Sequence, residues 1–139
     1  MCDFTIIVPV YNEEDNLIRV EKELLAYINM AIKKTAILFV NDGSIDNSLT
    51  MIKSICSKNE AFGYISFKTN KGLSAAIKAG FDHVTTDLVG YIDSDLQTSP
   101  EDFNKLLGEL LLSLRPMTPF FRGKVINILG RKVFTESRY

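Results

Sequence analysis

At 139 residues the chain suits one domain and leaves little room for a second. Its 46% hydrophobic and 24% charged residues are an ordinary globular balance, enough to bury a core. A formal net charge of -1 excludes a protein that binds nucleic acid by neutralising phosphates over its whole surface.

Other classes fall away with them. Cys2 and Cys56 lie far apart and in no metal-ligand spacing, so they read as two free thiols in a reducing compartment. No run approaches the roughly 18 consecutive apolar residues of a membrane span. Met1-Cys2-Asp3-Phe4 lacks the basic and apolar regions of a signal peptide, and a cytoplasmic location is the expectation. There is no low-complexity tract and no repeat at solenoid periods.

In chain order, Phe4 to Val10 is short and rich in β-branched residues, which predicts a buried strand. Asn12 is the predicted cap of the next helix, with Glu13, Glu14 and Asp15 in its first turn, where the helix dipole favours carboxylates. Leu17, Val20, Leu24, Tyr27, Ile28 and Ile32 keep helical spacing to an end near Lys33. Thr35 to Val40 is a second strand, stopped by Asn41-Asp42-Gly43-Ser44. Asp46 or Ser48 opens a helix to about Ser57, and Tyr64 to Lys68 reads as a third strand.

The loop Thr69-Asn70-Lys71-Gly72 leads into a helix from Leu73 to Val84, and Leu88 to Ile92 is a fourth strand. Ser99-Pro100-Glu101-Asp102 has the serine cap, first-position proline and following carboxylates of a helix start. Arg115-Pro116-Met117-Thr118-Pro119 breaks any continuing helix. The last stretch, from Phe120 to Tyr139, is basic, with a short helix expected near Lys124 to Leu129.

Strands and helices alternating in this way imply right-handed crossovers and an α/β fold, a mainly parallel sheet with helices on both faces. Ligands of such sheets bind beyond the carboxyl ends of the strands. Tyr11-Asn12-Glu13, Asn41-Asp42-Gly43-Ser44 and Asp93-Ser94-Asp95 all fall there.

Two carboxylates one residue apart at the end of an apolar strand, Asp93 and Asp95, are costly without a cation beside them. Oxygen ligands suit Mg²⁺ or Mn²⁺ shared with a substrate diphosphate. The same string is common in solvated acidic turns, and spacing alone does not separate the two. Asp42 could accept from a nucleobase, end its strand as an Asx-type turn, or act as a receiver-type phosphoacceptor. Tyr11 could stack on a base or pack half-buried. Lys71, ahead of a helix, could face a phosphate or sit in solvent. His83, late in a helix, receives no catalytic role.

Taken together and in order, the strings resemble the family 2 glycosyltransferases, over roughly Phe4 to Leu112. The resemblance rests on Ile7-Val8-Pro9-Val10-Tyr11-Asn12-Glu13-Glu14, Val40-Asn41-Asp42-Gly43-Ser44, Asn70-Lys71-Gly72-Leu73-Ser74-Ala75-Ala76 and Asp93-Ser94-Asp95-Leu96-Gln97. The Asp-Leu-Gln form, followed by Pro100-Glu101, is most similar to the branch of dolichol-phosphate mannose synthase and bacterial polyprenyl-phosphate glycosyltransferases.

The resemblance implies the Rossmann-like nucleotide-binding half of a GT-A fold. It implies transfer of a hexose, with inversion, from a UDP- or GDP-linked sugar to a polyprenyl phosphate at a membrane surface. Pro9, Tyr11 and Glu13 would line the nucleoside pocket, with Asp42 on the base and Lys71 near the diphosphate. Ser94 would contact the nucleotide sugar. Asp93 and Asp95 would be the catalytic pair and, with Gln97, would hold the divalent ion, Mg²⁺ or Mn²⁺.

This sequence departs from the family at Asn41, where aspartate is frequent, and more heavily beyond Gly108. The expected acceptor-side segments are missing, and Lys132-Val133-Phe134-Thr135-Glu136-Ser137-Arg138-Tyr139 resembles a late family segment brought forward. The division expected is a nucleotide-sugar-binding unit over 1–114 and a basic tail over 115–139, the shortened remainder of the catalytic domain. A shortened gene product of this kind could bind its nucleotide sugar without turnover. Open sheet edges would favour a homo-oligomer, and the basic, Phe-containing tail would suit the inner face of a membrane.

Overall fold

The computed structural model describes residues 2–92, Ser94 and, as backbone, 124–127 and 132–135. The strands are β1 (Phe4–Val10), β2 (Thr35–Asn41), β3 (Phe62–Ser66), β4 (Leu88–Tyr91), β5 (Lys124–Asn127) and β6 (Lys132–Thr135). The helices are α1 (Leu17–Met30), α2 (Ser48–Lys58) and α3 (Leu73–His83). One sheet runs in the order β3-β2-β1-β4-β5-β6, parallel except for the β5–β6 pair.

β1 is flanked on both edges and covered on both faces, which is why all seven of its residues are buried and why an unbroken apolar run was needed. Phe4, Ile6, Val8 and Val10 point into a core shared with Leu17, Val20, Leu24 and Tyr27 of α1 and Ile52 and Ile55 of α2. Ile7, Leu38, Val40 and Val89 meet Ala76 of α3 on the other face. Gly80 permits that contact, since a Cβ there would stand 2.8 Å from Ile7 Cδ1 and Cγ2. Burial pushes the Tyr27 hydroxyl up to about 12, the hydrogen bond with Thr35 working the other way.

Four expectations need correction. α1 starts at Leu17 with Asn16 at its cap position, and none of its first-turn residues is acidic. Asn12 lies five residues before the helix in the left-handed region, φ 51°, and its side-chain oxygen accepts from the Ile45 N–H rather than from a first-turn amide. The helix also ends at Met30, because Ala31 is extended. β3 is shifted toward the N-terminus, because Phe62 enters the core and stacks on Phe39 at 5.9 Å, while Phe67 and Lys68 belong to the following loop.

The helix expected near Lys124 to Leu129 is instead strand over its first four residues. Val125 and Ile126 are β-branched and pair with Val89 and Gly90, so the open edge of β4 supplies the partners that a short helix would lack. The helix start expected at Ser99-Pro100-Glu101-Asp102 lies outside the described residues.

Candidate functional site

The chain leaves β1 toward β2 on one side, and β4 lies on the other, so the strand order reverses between β1 and β4. Helices and loops then diverge at the carboxyl ends, where open α/β sheets form a crevice. The β1–β4 ladder runs from Phe4↔Leu88 to Ile7↔Tyr91, followed by Ile92 N–H donating to the Ile7 carbonyl. Pro9, which has no N–H, comes after that pairing, where its missing donor costs nothing to β4.

The crevice holds about 350 Å³ and is lined by Pro9, Val10, Tyr11, Glu13, Asp42, Asn70, Gly72, Leu73, Ala76 and Ser94. That volume suits a small polar ligand held by part of its length. Of the residues singled out from sequence, Pro9, Tyr11, Glu13, Asp42 and Ser94 meet here. Tyr11 is 46% exposed, with its ring at the rim. Ser94, the middle of the acidic triplet, is buried. Asp93, Asp95 and Gln97 lie outside the described residues, among which no cluster of three or more His, Cys, Asp or Glu stands ready for a metal.

Asp42 is buried, and its carboxylate gathers the loop between β3 and α3. Oδ1 accepts from the Lys71 N–H at 2.7 Å, and Oδ2 accepts from the Gly72 N–H at 3.0 Å and from Asn70 Nδ2 at 3.2 Å. A buried carboxylate needs such donors, and three charge-assisted bonds supply them. Gly43 completes the contact. At φ 67°, it lies so close that a Cβ would stand 2.3 Å from the Thr69 carbonyl carbon and 2.4 Å from the Asn70 nitrogen.

The loop after β1 is tied to the loop after β2 just as closely. Asn12 N–H donates to Ser44 Oγ at 3.0 Å, and Asn12 Oδ1 accepts from the Ile45 N–H at 2.9 Å. Glu13 N–H donates to Ser48 Oγ at 2.9 Å, and Glu14 Oε2 accepts from the Asn47 N–H at 3.0 Å. Asp46 Oδ2 accepts from the Glu14 N–H. Burial works to raise the Asp46 carboxyl, but the Ser48 and Glu14 donors outweigh it and hold it below its ordinary range.

Lys71 contributes its backbone to Asp42, while its ammonium sits 4.7 Å from the centre of the Phe67 ring and outside the crevice lining. His83 ends α3 and lines a separate cleft at the opposite end of the sheet. Asn12, Ser44, Ser48 and Asn70 read from sequence as cap and turn residues, and their role in tying one loop to another was missed. Their signal was the density of short polar residues at three successive strand ends, which reads as turn chemistry unless the partners are known.

Residues 5–112 match the glycosyl transferase family 2. Among solved structures, a mannosyltransferase, PcManGT from Pyrobaculum calidifontis, in complex with GDP-Man and Mn²⁺, is 19% identical with a TM-score of 0.63. The match covers 86% of this chain and 34% of that one. Glucosyl-3-phosphoglycerate synthase from Mycobacterium tuberculosis, with Mn²⁺, UDP and glucosyl-3-phosphoglycerate, is 18% identical with a TM-score of 0.62, covering 79% of this chain and 40% of that one. TarS of S. aureus is 18% identical with a TM-score of 0.60, over 86% of this chain and 24% of that one.

These likenesses carry the fold, a mainly parallel α/β sheet of the GT-A glycosyltransferase kind, and the chain spans well under half the length of each neighbour. No helix of the described residues is long and apolar enough to cross a membrane. With the family match spanning well over half of its residues, the chain belongs to glycosyl transferase family 2.

Proposed function

We propose that the crevice at the carboxyl ends of β1 and β4 binds a nucleoside diphosphate sugar, and that the chain serves its transfer. The observation that carries this is the convergence of Pro9, Tyr11, Glu13, Asp42 and Ser94 on one 350 Å³ crevice at the reversal of strand order. Pro9, Tyr11 and Glu13 line the nucleoside side, Tyr11 stacking on the base, and Asp42 accepts from it. Lys71 turns toward the diphosphate once ligand is present. Residues 1–114 carry this donor site, and the basic stretch 115–139 adds β5 and β6 to the sheet beneath it.

Asp93 and Asp95, the catalytic pair, would hold a Mg²⁺ or Mn²⁺ ion together with Gln97. Two carboxylates and an amide oxygen are a hard donor set that fits such an ion. The ion would supply charge neutralisation for a diphosphate leaving group. The acceptor is a polyprenyl phosphate, as in the dolichol-phosphate mannose synthase branch, met at the cytoplasmic face of a membrane. Such an acceptor is already anionic, so attack opposite the leaving group, with inversion, needs no strong base.

Calorimetry with UDP, GDP and their sugars, with and without Mn²⁺, tests the donor site. Asp95→Ala is expected to abolish the Mn²⁺-dependent part of binding, and unchanged affinity would remove Asp95 from the site. A second reading is binding of the nucleotide sugar without turnover. Metal-dependent binding with no transfer to a lipid phosphate selects that reading.

A further inference from the structure

We infer that Asn12 is a positioning residue that holds Tyr11 and Glu13 in place by locking their loop to the loop that carries Asp42. Part of this rests on the nucleotide reading of the crevice, and part stands on geometry alone.

Tyr11 and Glu13 line the crevice on either side of Asn12, so the backbone at Asn12 sets where both side chains go. Asn12 is the one non-glycine residue with positive φ among the described residues. Asparagine tolerates that region better than most residues, but it still needs support from its surroundings. The support comes from two bonds in opposite senses: Asn12 N–H to Ser44 Oγ, and Ile45 N–H to Asn12 Oδ1. Because the partner at Oδ1 is a backbone N–H, the acceptor there must be the amide oxygen.

The second loop is itself fixed. Asn41 Oδ1 accepts from the Ser44 N–H, Gly43 abuts Thr69 and Asn70, and Asp42 binds the loop before α3. Asn12 therefore ties the Tyr11–Glu13 wall to a rigid frame, and the two walls of the crevice keep one spacing. Glu13 and Glu14 add their own bonds to Ser48, Asp46 and Asn47, but these lie on the helix side of Asn12. Tyr11 has Asn12 as its nearest anchor on that side.

The test is a substitution series in the full chain. Asn12→Gly keeps the left-handed backbone and removes the acceptor, while Asn12→Asp keeps an acceptor oxygen and tolerates the same φ. Two readouts are taken on each: amide hydrogen exchange at Ile45, and calorimetric affinity for UDP and GDP with Mn²⁺. Exchange at Ile45 is expected to rise in Asn12→Gly and to stay slow in the wild type and in Asn12→Asp.

Nucleotide binding in Asn12→Gly is expected to weaken roughly two- to tenfold, the scale of one lost anchoring hydrogen bond, with the melting temperature near wild type. A wild type that binds nucleotide, paired with an Asn12→Gly that binds equally well, overturns the positioning role alone. Fast exchange at Ile45 in the wild type overturns the lock directly. A wild type that binds neither nucleotide overturns the reading of the crevice, and the positioning of a nucleotide wall falls with it.

Discussion

The two ends of the sheet are built on different principles. At the amino end, side chains close their own turns: Thr35 Oγ1 donates to the Lys33 carbonyl, Asn59 Oδ1 accepts from the Ala61 N–H, and Thr86 Oγ1 donates to the Leu88 carbonyl, each two residues away. The half-buried Thr5–Thr86 hydroxyl pair is a long-range exception. At the carboxyl end local bonds also occur, such as Ser44 N–H to Asn41 Oδ1 and Ser48 N–H to Asp46 Oδ1, but a second set runs between loops. Asp42 reaches partners 28 to 30 residues on, and Asn12, Glu13 and Glu14 reach partners 32 to 35 residues on. Short bonds finish a turn and serve stability locally, whereas long ones hold separate loops at a fixed distance. A site built for a ligand needs the second kind.

That contrast is sharpest at Asp42. Replacing it with alanine removes the acceptor of two backbone N–H groups and the Asn70 amide from a buried position. The expected loss is about 3 kcal/mol in urea unfolding, with nucleotide binding abolished. Asp42→Asn keeps one oxygen but sets an NH₂ group against an N–H donor, so it recovers only part of the loss. A cost below about 1 kcal/mol for Asp42→Ala would mean that the loop stands without its carboxylate, and the two ends would not differ.

The same distinction explains what was legible in the sequence. β1 announced itself because Phe4 to Val10 needs no partner information to be read as buried, and the polar clusters that stop β1 and β2 marked the site's end of the sheet. What stayed hidden depended on distant partners. Asn12 has the same capping chemistry whether its oxygen meets its own helix or Ile45, and only the fold selects Ile45. Lys71, ahead of a helix, reads as facing either a phosphate or solvent, and its contact with the Phe67 ring stays hidden because Tyr64 to Lys68 reads as one strand. Lys124 to Asn127 became a strand because β4 offered an edge, a fact that no window of its own residues contains.

Gly43 tests the comparison at the backbone. An alanine there must hold φ 67° and place its Cβ against the main chain of Thr69 and Asn70, which cannot rotate away as a side chain would. The expected cost is about 2 kcal/mol, from left-handed strain plus the steric shift. Because that shift separates the loop of Asp42 from the loop of Asn70, nucleotide affinity is expected to fall with stability. A Gly43→Ala chain as stable as the wild type would show that the loops are free to part.

The smallest effect is expected at the other end. Asn59 follows α2 and closes the turn into β3 through its bond from the Ala61 N–H, at 2.9 Å and only two residues away. In Asn59→Ala that N–H turns to water, because the turn is partly exposed, and the loss is about 0.5–1 kcal/mol in urea unfolding. Nucleotide affinity is expected to stay at the wild-type value, since the turn lies at the amino end, across the whole length of the strands from the crevice. An Asn59→Ala chain that loses affinity in step with Gly43→Ala would make nucleotide binding a report on overall stability, and the carboxyl end would lose its claim to be a separately built frame.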